Sequence, residues 1–188
     1  NFSPDTSYNG KSIEQINLMK GRKHKATEEA LTVIDIMMAG GASAVFHGMG
    51  EEDVKRIMQY PFNMFASDAS IRVLNAGMPH PRGYGTNARV LGKYVREEKV
   101  ITLEEAIRRM TSLPAQKFQL SDRGILKEGM AADIVIFDEK EVKDMATFEK
   151  PHAYSKGFHY VIVNGVITAE NEKHLGVRAG KALYHISQ

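Results

Sequence analysis

The sequence predicts an α/β fold with a parallel sheet, followed by a mostly β segment. Two short apolar runs, ASAVF (42–46) and FNMFA (62–66), lie on either side of a helical pattern at residues 50–60. This order is that of a strand–helix–strand unit, which implies parallel strands. Neither run alternates apolar with polar residues, as is typical of strands covered on both faces. From Gly124 onward the apolar runs are short and rich in β-branched residues, which indicates a second, β-rich part.

Two helices are predicted before the first strand. The first extends from about Ser12 to Met19, where isoleucines recur at helical spacing. The second is predicted to begin at Thr27 as its N-cap, because two glutamates follow in the first turn, where the helix dipole favours anions. The pair Gly40-Gly41 is predicted to end this helix.

Further helices are predicted after the second strand. Residues 86–98 have a helical pattern, and residues 102–110 begin with a capping box formed by Thr102 and Glu105. One more short helix is predicted near residues 115–120.

The β-rich part is predicted from a strand and a hairpin. The run ADIVIFD (132–138) has the composition of a strand, and residues 159–169 form a hairpin around Asn164-Gly165, a strong turn signal. We therefore place a domain boundary near residue 123, so that residues 1–123 form the α/β part and residues 124–188 the small β domain.

Composition excludes several classes of protein. The 188 residues carry a formal charge of +2 and no cysteine, so neither a nucleic-acid footprint nor a disulfide framework is indicated. No apolar run approaches the roughly 18 residues that span a bilayer. The opening residues NFSPDTSYNG have no signal-peptide layout and no initiator methionine, so we expect the chain to begin within a longer protein, and a cytoplasmic location.

Polar residues follow both predicted strands, at the ends where parallel sheets place functional groups. His47 and Met49 follow the first strand, and Asp68 follows the second. An apolar wall beside Asp68 would raise the pKa of its carboxyl group and make it a useful general base and acid. The alternative is that Asp68 only caps a turn, since SDAS is good turn sequence.

Arg82 lies in the loop HPRGYGT (80–86), where its guanidinium could clamp a carboxylate and the glycines allow close approach of a ligand. The alternative is a surface arginine in a flexible loop. His47 and His80 could be metal ligands, yet no His-x-His or His-Glu-x-x-His motif occurs, so packing or solvated histidines are the favoured interpretation.

Several motifs together give the chain a family resemblance. It resembles the C-terminal part of the N-acyl-D-amino-acid deacylase (D-aminoacylase) family, within the metal-dependent amidohydrolase superfamily, from about Gly10 to Ala182. The stretch RGILKEGMAADIVIFD is shared across the superfamily, whereas HPRGYGT and ATFEKPH are more specific. The motifs that carry the resemblance are EEDVKRIMQYPFNMFASDAS, HPRGYGTNARVLG, RGILKEGMAADIVIFD, ATFEKPH and VIVNGV.

The resemblance implies a (β/α)8 barrel, of which residues 42–46 and 62–66 would be strands seven and eight, and a small β-sandwich-like domain. It implies that Asp68 is the catalytic acid and base, with Arg82, Met49 and Ser3 binding substrate; the match at Ser3 is the poorest because the family's spacing differs there. It also implies a zinc cofactor whose ligands lie upstream of this chain, with Asp68 as a weak ligand at most.

The expected activity is hydrolysis of the amide bond of a small-molecule N-acyl-D-amino acid, without nucleic-acid or membrane partners. We expect this chain alone to be inactive, because it lacks the upstream part of the same protein. Two alternatives stay open: a cyclic-amide hydrolase of the hydantoinase or dihydroorotase kind, and a non-catalytic scaffold that has lost the metal. The sequence does not determine the preferred side chain, the number of metals or the oligomeric state.

Overall fold

The computed structural model describes residues 2–71 and 73–184. The chain forms two compact units: one of Asn1–Gly48 and Ala76–Met78, the other of Met49–Asn75 and Pro79–Gln188. Within the described residues, no helix has the length and apolar character needed to cross a membrane.

The first unit is a pair of helices, α1 (Ile13–Met19) and α2 (Ala26–Met38). Ser12 caps α1 reciprocally with Gln15, because each side chain accepts the backbone N–H of the other residue. The predicted N-cap Thr27 is wrong by two positions, since α2 begins at Ala26 after Lys25, which caps without a side-chain hydrogen bond.

The end of α2 lies where the sequence predicts it. The Gly41 N–H donates to Ile36 O (2.9 Å) and the Gly40 N–H to Met37 O (3.1 Å), so the glycine pair ends α2 as predicted. Phe2, Ile16 and Ile36 form the apolar core.

The second unit begins with helices around a common apolar core. Its helical elements are α3 (Glu51–Met58), α4 (Arg82–Arg89), a π-helix (Val90–Glu97), α5 (Leu103–Met110) and α6 (Ser112–Lys117). Leu91, Tyr94 and Ala106 are buried at the centre, with Met58 from α3 and Val142 from a later loop. The prediction that residues 80–86 form a loop is wrong in its second half, because α4 already begins at Arg82.

A four-stranded antiparallel sheet completes this unit, with strands in the order β1-β2-β3-β4. The strands are β1 (Ile134–Phe137), β2 (Phe158–Val163), β3 (Val166–Glu170) and β4 (Lys173–His174). The predicted hairpin is confirmed: β2 and β3 pair on either side of Asn164 (φ 48°) and Gly165 (φ 80°), and both φ angles are positive, as a type I′ turn requires.

The prediction of two buried strands before and after α3 is wrong for this structure. Residues 42–46 and 62–66 belong to no sheet, and Phe46 (88%) and Phe62 (76%) are largely exposed. The physical reason is that a strand needs a neighbouring strand for its backbone N–H and C=O groups. Every strand of the sheet comes from residues 134–174, so neither segment has a described partner, although α3 forms between them as predicted.

Candidate active site

The structure brings together two of the residues predicted from the sequence. The Nη2 atom of Arg82 lies 2.8 Å from Oδ2 of Asp68, although the two residues are separated by a loop. Both belong to the second unit. The Asp68 side chain is 86% exposed and that of Arg82 is 45% exposed, so a dissolved small molecule can reach both charged groups.

Asp68 is presented by a segment anchored just before it. The Phe65 ring packs against the helical core of the unit, and the Phe65 N–H donates to Arg109 O at 3.4 Å. The backbone of Asp68 has a φ of 47°, in the left-handed region that aspartate tolerates better than most residues. The chain therefore turns sharply at Asp68 after a fixed point, and the carboxylate points to solvent.

Arg82 is presented by the first turn of α4. Its N–H donates to Nδ1 of His80 at 3.0 Å, and its C=O accepts the Thr86 hydroxyl at 2.8 Å. His80 thus acts as an acceptor at the start of the helix, where backbone N–H groups have no partner inside the helix. The metal-ligand alternative for His80 is not supported within the described residues, because His80 belongs to no group of three His, Cys, Asp or Glu side chains that could hold a metal ion.

The electrostatics of the site favour a neutral His80. Burial, and next the nearby Arg82 guanidinium, hold the pKa of His80 below its ordinary value, so its Nδ1 stays an acceptor at neutral pH. The Asp68–Arg82 pair itself is exposed on both sides, and such pairs contribute only about 0–1 kcal/mol to stability. The pair therefore exists at little energetic benefit to the fold and can open readily for a ligand.

The other two predicted substrate residues, Met49 and Ser3, lie on other segments of the chain. Met49 precedes Gly50, the N-cap of α3, and is 76% exposed. Ser3 is exposed and belongs to the first unit. The roles of Met49 and Ser3 stay predictions.

The donor set for a metal is incomplete within the described residues. Among residues 2–71 and 73–184, no three His, Cys, Asp or Glu side chains are grouped so as to hold a metal ion. Asp68 offers one carboxylate, and one of its oxygens already pairs with Arg82. The residues at hand therefore do not by themselves make a metal site.

Sequence reasoning missed a polar cluster beside Arg82. The Tyr84 hydroxyl lies 3.1 Å from Nδ1 of His152, and Asn75 N lies 3.2 Å from the same nitrogen. The motif ATFEKPH, which contains His152, indicates a family resemblance but no contact of His152. Nothing in local spacing could have paired His152 with Tyr84, because 68 residues separate them.

Comparison with known proteins identifies the class to which this chain belongs. The sequence profile of the amidohydrolase family matches residues 13–169, and the chain is a member of that family.

Its relatives include enzymes that act on N-acyl-D-amino acids. N-acyl-D-glutamate deacylase of Alcaligenes xylosoxydans xylosoxydans is 46% identical over 124 residues, which are 66% of this chain and 25% of that protein. D-aminoacylase of the same organism is 41% identical over 142 residues, or 76% of this chain and 29% of the relative. Dihydroorotase of Lactobacillus acidophilus is 42% identical over 65 residues, or 35% of this chain and 15% of the relative.

Solved structures show the same α/β amidohydrolase fold. A D-aminoacylase with a binuclear metal centre has a TM-score of 0.80 and 35% identity, over 95% of this chain and 35% of the other. The N-acyl-D-glutamate deacylase of Bordetella bronchiseptica, complexed with zinc and a phosphonate inhibitor that mimics the tetrahedral intermediate, has a TM-score of 0.75 and 36% identity, over 90% of this chain and 34% of the other. The chain therefore spans about a third of these enzymes.

Proposed function

We propose that the intact protein hydrolyses the amide bond of N-acyl-D-amino acids, with Asp68 moving the proton and Arg82 binding the substrate's α-carboxylate. The observation that carries this proposal is the 2.8 Å separation between the Asp68 carboxylate and the Arg82 guanidinium. The deacylases among its relatives support the substrate class.

The short distance between the Asp68 carboxylate and the Arg82 guanidinium fits the geometry of an N-acylated α-amino acid. In such a substrate the amide nitrogen and the carboxylate carbon are bonded to the same Cα, which places them about 2.5 Å apart. A guanidinium that takes the carboxylate bidentately therefore brings the scissile nitrogen within a few ångströms of itself. Asp68 lies beside that guanidinium, so its carboxylate can reach the nitrogen that must be protonated.

Asp68 has two tasks in this reaction. Its carboxylate accepts a proton from the attacking water while the new C–O bond forms at the acyl carbon. It then gives that proton to the amide nitrogen as the C–N bond breaks, so that a carboxylate and a free D-amino acid leave. The exposure of Asp68 allows both water and substrate to approach it.

A metal, zinc in our proposal, would supply a lowered pKa for the attacking water when bound in the intact protein. We propose that its ligands lie outside the described residues, with Asp68 as a weak ligand at most. The binuclear centre and the zinc of the two solved relatives support a metal for the family. We also propose that the 188-residue chain alone does not turn over substrate, since it spans only about a third of those enzymes.

The second candidate is a cyclic-amide hydrolase, favoured by the partial match to dihydroorotase. That match covers 35% of this chain, less than half the coverage of the D-aminoacylase match. A hydantoin-type ring amide without a carboxylate gives Arg82 no anion to bind, so the Asp68–Arg82 pairing favours the deacylase over a hydantoinase. Dihydroorotate does carry a carboxylate beside a ring nitrogen, and against that substrate the smaller coverage of the match favours the deacylase.

The test is a pair of substitutions in the intact protein, assayed on N-acetyl-D-amino acids. Asp68→Asn should lower kcat by at least about 100-fold, the usual range for a lost general acid and base. Arg82→Ala should raise KM by about 10- to 100-fold, as a lost hydrogen bond to a charged group costs about 1.5–3 kcal/mol.

Arg56→Ala is the matched control, because Arg56 is an exposed helical arginine of the same unit, and it should leave both constants unchanged. Full turnover by Asp68→Asn would contradict the assigned proton carrier. An unchanged KM in Arg82→Ala, with cleavage of hydantoins, would favour the cyclic-amide alternative.

A further inference from the structure

A loop from late in the sequence packs against the start of α4. We call residues 144–155 the strap. The Phe148 ring meets the His80 ring edge-to-face, with centroids 5.0 Å apart and an interplanar angle of 84°. The Ser155 hydroxyl donates to Tyr84 O at 2.9 Å. These contacts lie two residues before and two residues after Arg82, so the strap contacts the chain on both sides of Arg82.

The Nδ1 atom of His152, which is part of the strap, accepts hydrogen bonds from two donors. The Asn75 N–H donates to its Nδ1 at 3.2 Å, which makes Nδ1 an acceptor. The Tyr84 hydroxyl, 3.1 Å from the same atom, must therefore donate to it. Both bonds require an imidazole whose Nδ1 carries no proton, so the neutral ring has its proton on Nε2.

The two donors lie on the two segments that carry Asp68 and Arg82. Asn75 follows Asp68 by seven residues and Tyr84 follows Arg82 by two. Asn75 also has a positive φ of 64°, so the chain turns there as well. A single ring nitrogen thus connects the loop that leaves Asp68 with the helix that begins at Arg82.

The packing leaves little freedom around this connection. The Tyr84 ring meets the rings of His152 and Tyr154 at centroid distances of 5.8 Å each. A Cβ atom on Gly85 would lie 2.8 Å from Cβ of Asp144, so the helix and the strap are as close as glycine permits. An exposed ion pair cannot hold two loops in register by itself, because it competes with water for the same hydrogen bonds.

We propose that His152 is a positioning residue for the Asp68–Arg82 pair and thereby determines how well the protein binds a substrate carboxylate. The expected change in KM rests on the proposed function. The expected effect of His152 on the Asp68–Arg82 contact does not. His152 touches neither member of the pair; it acts through Asn75 and Tyr84. A displacement of about 1 Å at a reacting group is enough to cost a large factor in rate or affinity.

The kinetic test compares three substitutions in the intact protein. His152→Phe keeps a ring but removes the acceptor, and Tyr84→Phe removes only the hydroxyl. Each should raise KM for an N-acetyl-D-amino acid about tenfold, and each should also lower kcat, because Asp68 is displaced together with the pair. His152→Asn places a side-chain oxygen near the position of Nδ1, so this variant keeps an acceptor for both donors. Its KM should lie within about twofold of the wild-type value. The KM for the corresponding carboxamide, which offers Arg82 no anion, should not change in any of them.

His159→Phe is the matched control, since His159 is an exposed histidine on β2 of the same unit. If it raises KM as much as His152→Phe, or if His152→Asn fails to restore KM, the positioning role is overturned.

A second readout does not depend on turnover. Crystal structures of the wild type and His152→Asn should keep the Asp68–Arg82 contact near 2.8 Å, whereas His152→Phe and Tyr84→Phe should break it. If the wild type cleaves no N-acyl-D-amino acid but the contact breaks as expected, the proposed function fails and the positioning role stands. An intact contact in both Phe variants overturns the positioning role, whatever the activity.

Discussion

Single residues decide how closely the elements of the second unit approach. Val142 is 1% exposed, and two glycines from different parts of the chain pack against its backbone. A Cβ on Gly92 of the π-helix would lie 2.6 Å from Val142 O, and one on Gly157 would lie 2.5 Å from Val142 N. Because the obstructing atoms are backbone, a side chain at either position would require the chain to move.

Gly92→Ala should therefore destabilise the protein by about 1–3 kcal/mol, the usual cost of overpacking. The measurement is urea-induced unfolding of the intact protein. Gly180→Ala is the matched control, because Gly180 has open space around its Cβ position and no positive φ, and it should change stability by less than about 0.5 kcal/mol. Equal effects of the two substitutions would show that the contact with Val142 is not tight.

At the scale of elements, α5 shows a prediction that was half correct. Thr102 caps the helix by accepting the Glu105 N–H at 3.3 Å, as the capping box predicts. The Glu105 carboxylate does not return to the cap; it accepts from Arg108 Nη2 at 2.7 Å and from Arg109 Nε at 2.7 Å. Arg109 is 2% exposed and also donates to Met58 O, so this carboxylate is part of the connection between α5 and α3.

These arginines set the pH dependence of the connection. Hydrogen bonds from Arg108 and then Arg109 lower the pKa of Glu105 from 4.5 to about 2. Because the folded pKa lies below the unfolded one, the stabilisation is fully present above about pH 4.5 and is lost as the pH falls from there towards 2.

In thermal unfolding between pH 2 and 6, Glu105→Gln should therefore be less stable than the wild type at pH 6, and the difference should shrink at pH 2 to 3. Glu128→Gln, which changes an exposed glutamate in a turn, is the control and should follow the wild type throughout. A constant difference across the pH range would mean that the Glu105 charge does not act through this pKa.

At the scale of the whole molecule, the segments predicted as barrel strands matter most. In the second unit, Phe62 at the start of the predicted strand 62–66 is 76% exposed, and Ile71 shortly after that segment is 102% exposed, so both apolar side chains lie in water. Apolar residues next to unpaired backbone are prone to association with another chain. The resemblance implies that residues 42–46 and 62–66 are barrel strands, where other strands would cover them.

The isolated 188-residue chain should therefore self-associate, and Phe62→Ser should reduce that association. Sedimentation velocity over a range of concentrations measures both. Leu126→Ser is the control, because Leu126 is 81% exposed but lies in the loop before β1, outside these segments, and it should leave the association unchanged. A chain that remains monomeric at high concentration would contradict the expectation.

The sequence by itself determined the features that depend on a few neighbouring residues. The hairpin at Asn164-Gly165 and the end of α2 at Gly40-Gly41 were predicted correctly because positive φ is a local property that glycine and asparagine favour. Short motifs such as HPRGYGT and ATFEKPH likewise indicated the family. By contrast, residues 42–46 and 62–66 were predicted as strands from composition alone, and a strand exists only when another strand is beside it.

Only the tertiary structure decided which distant groups meet. The sequence marks Asp68 and Arg82 by separate patterns, yet their contact depends on a turn at Asp68 and a helix that begins at Arg82. The acceptor role of His152 depends on Asn75, 77 residues away, and on Tyr84. Such contacts are set by packing across the chain, which local spacing does not encode.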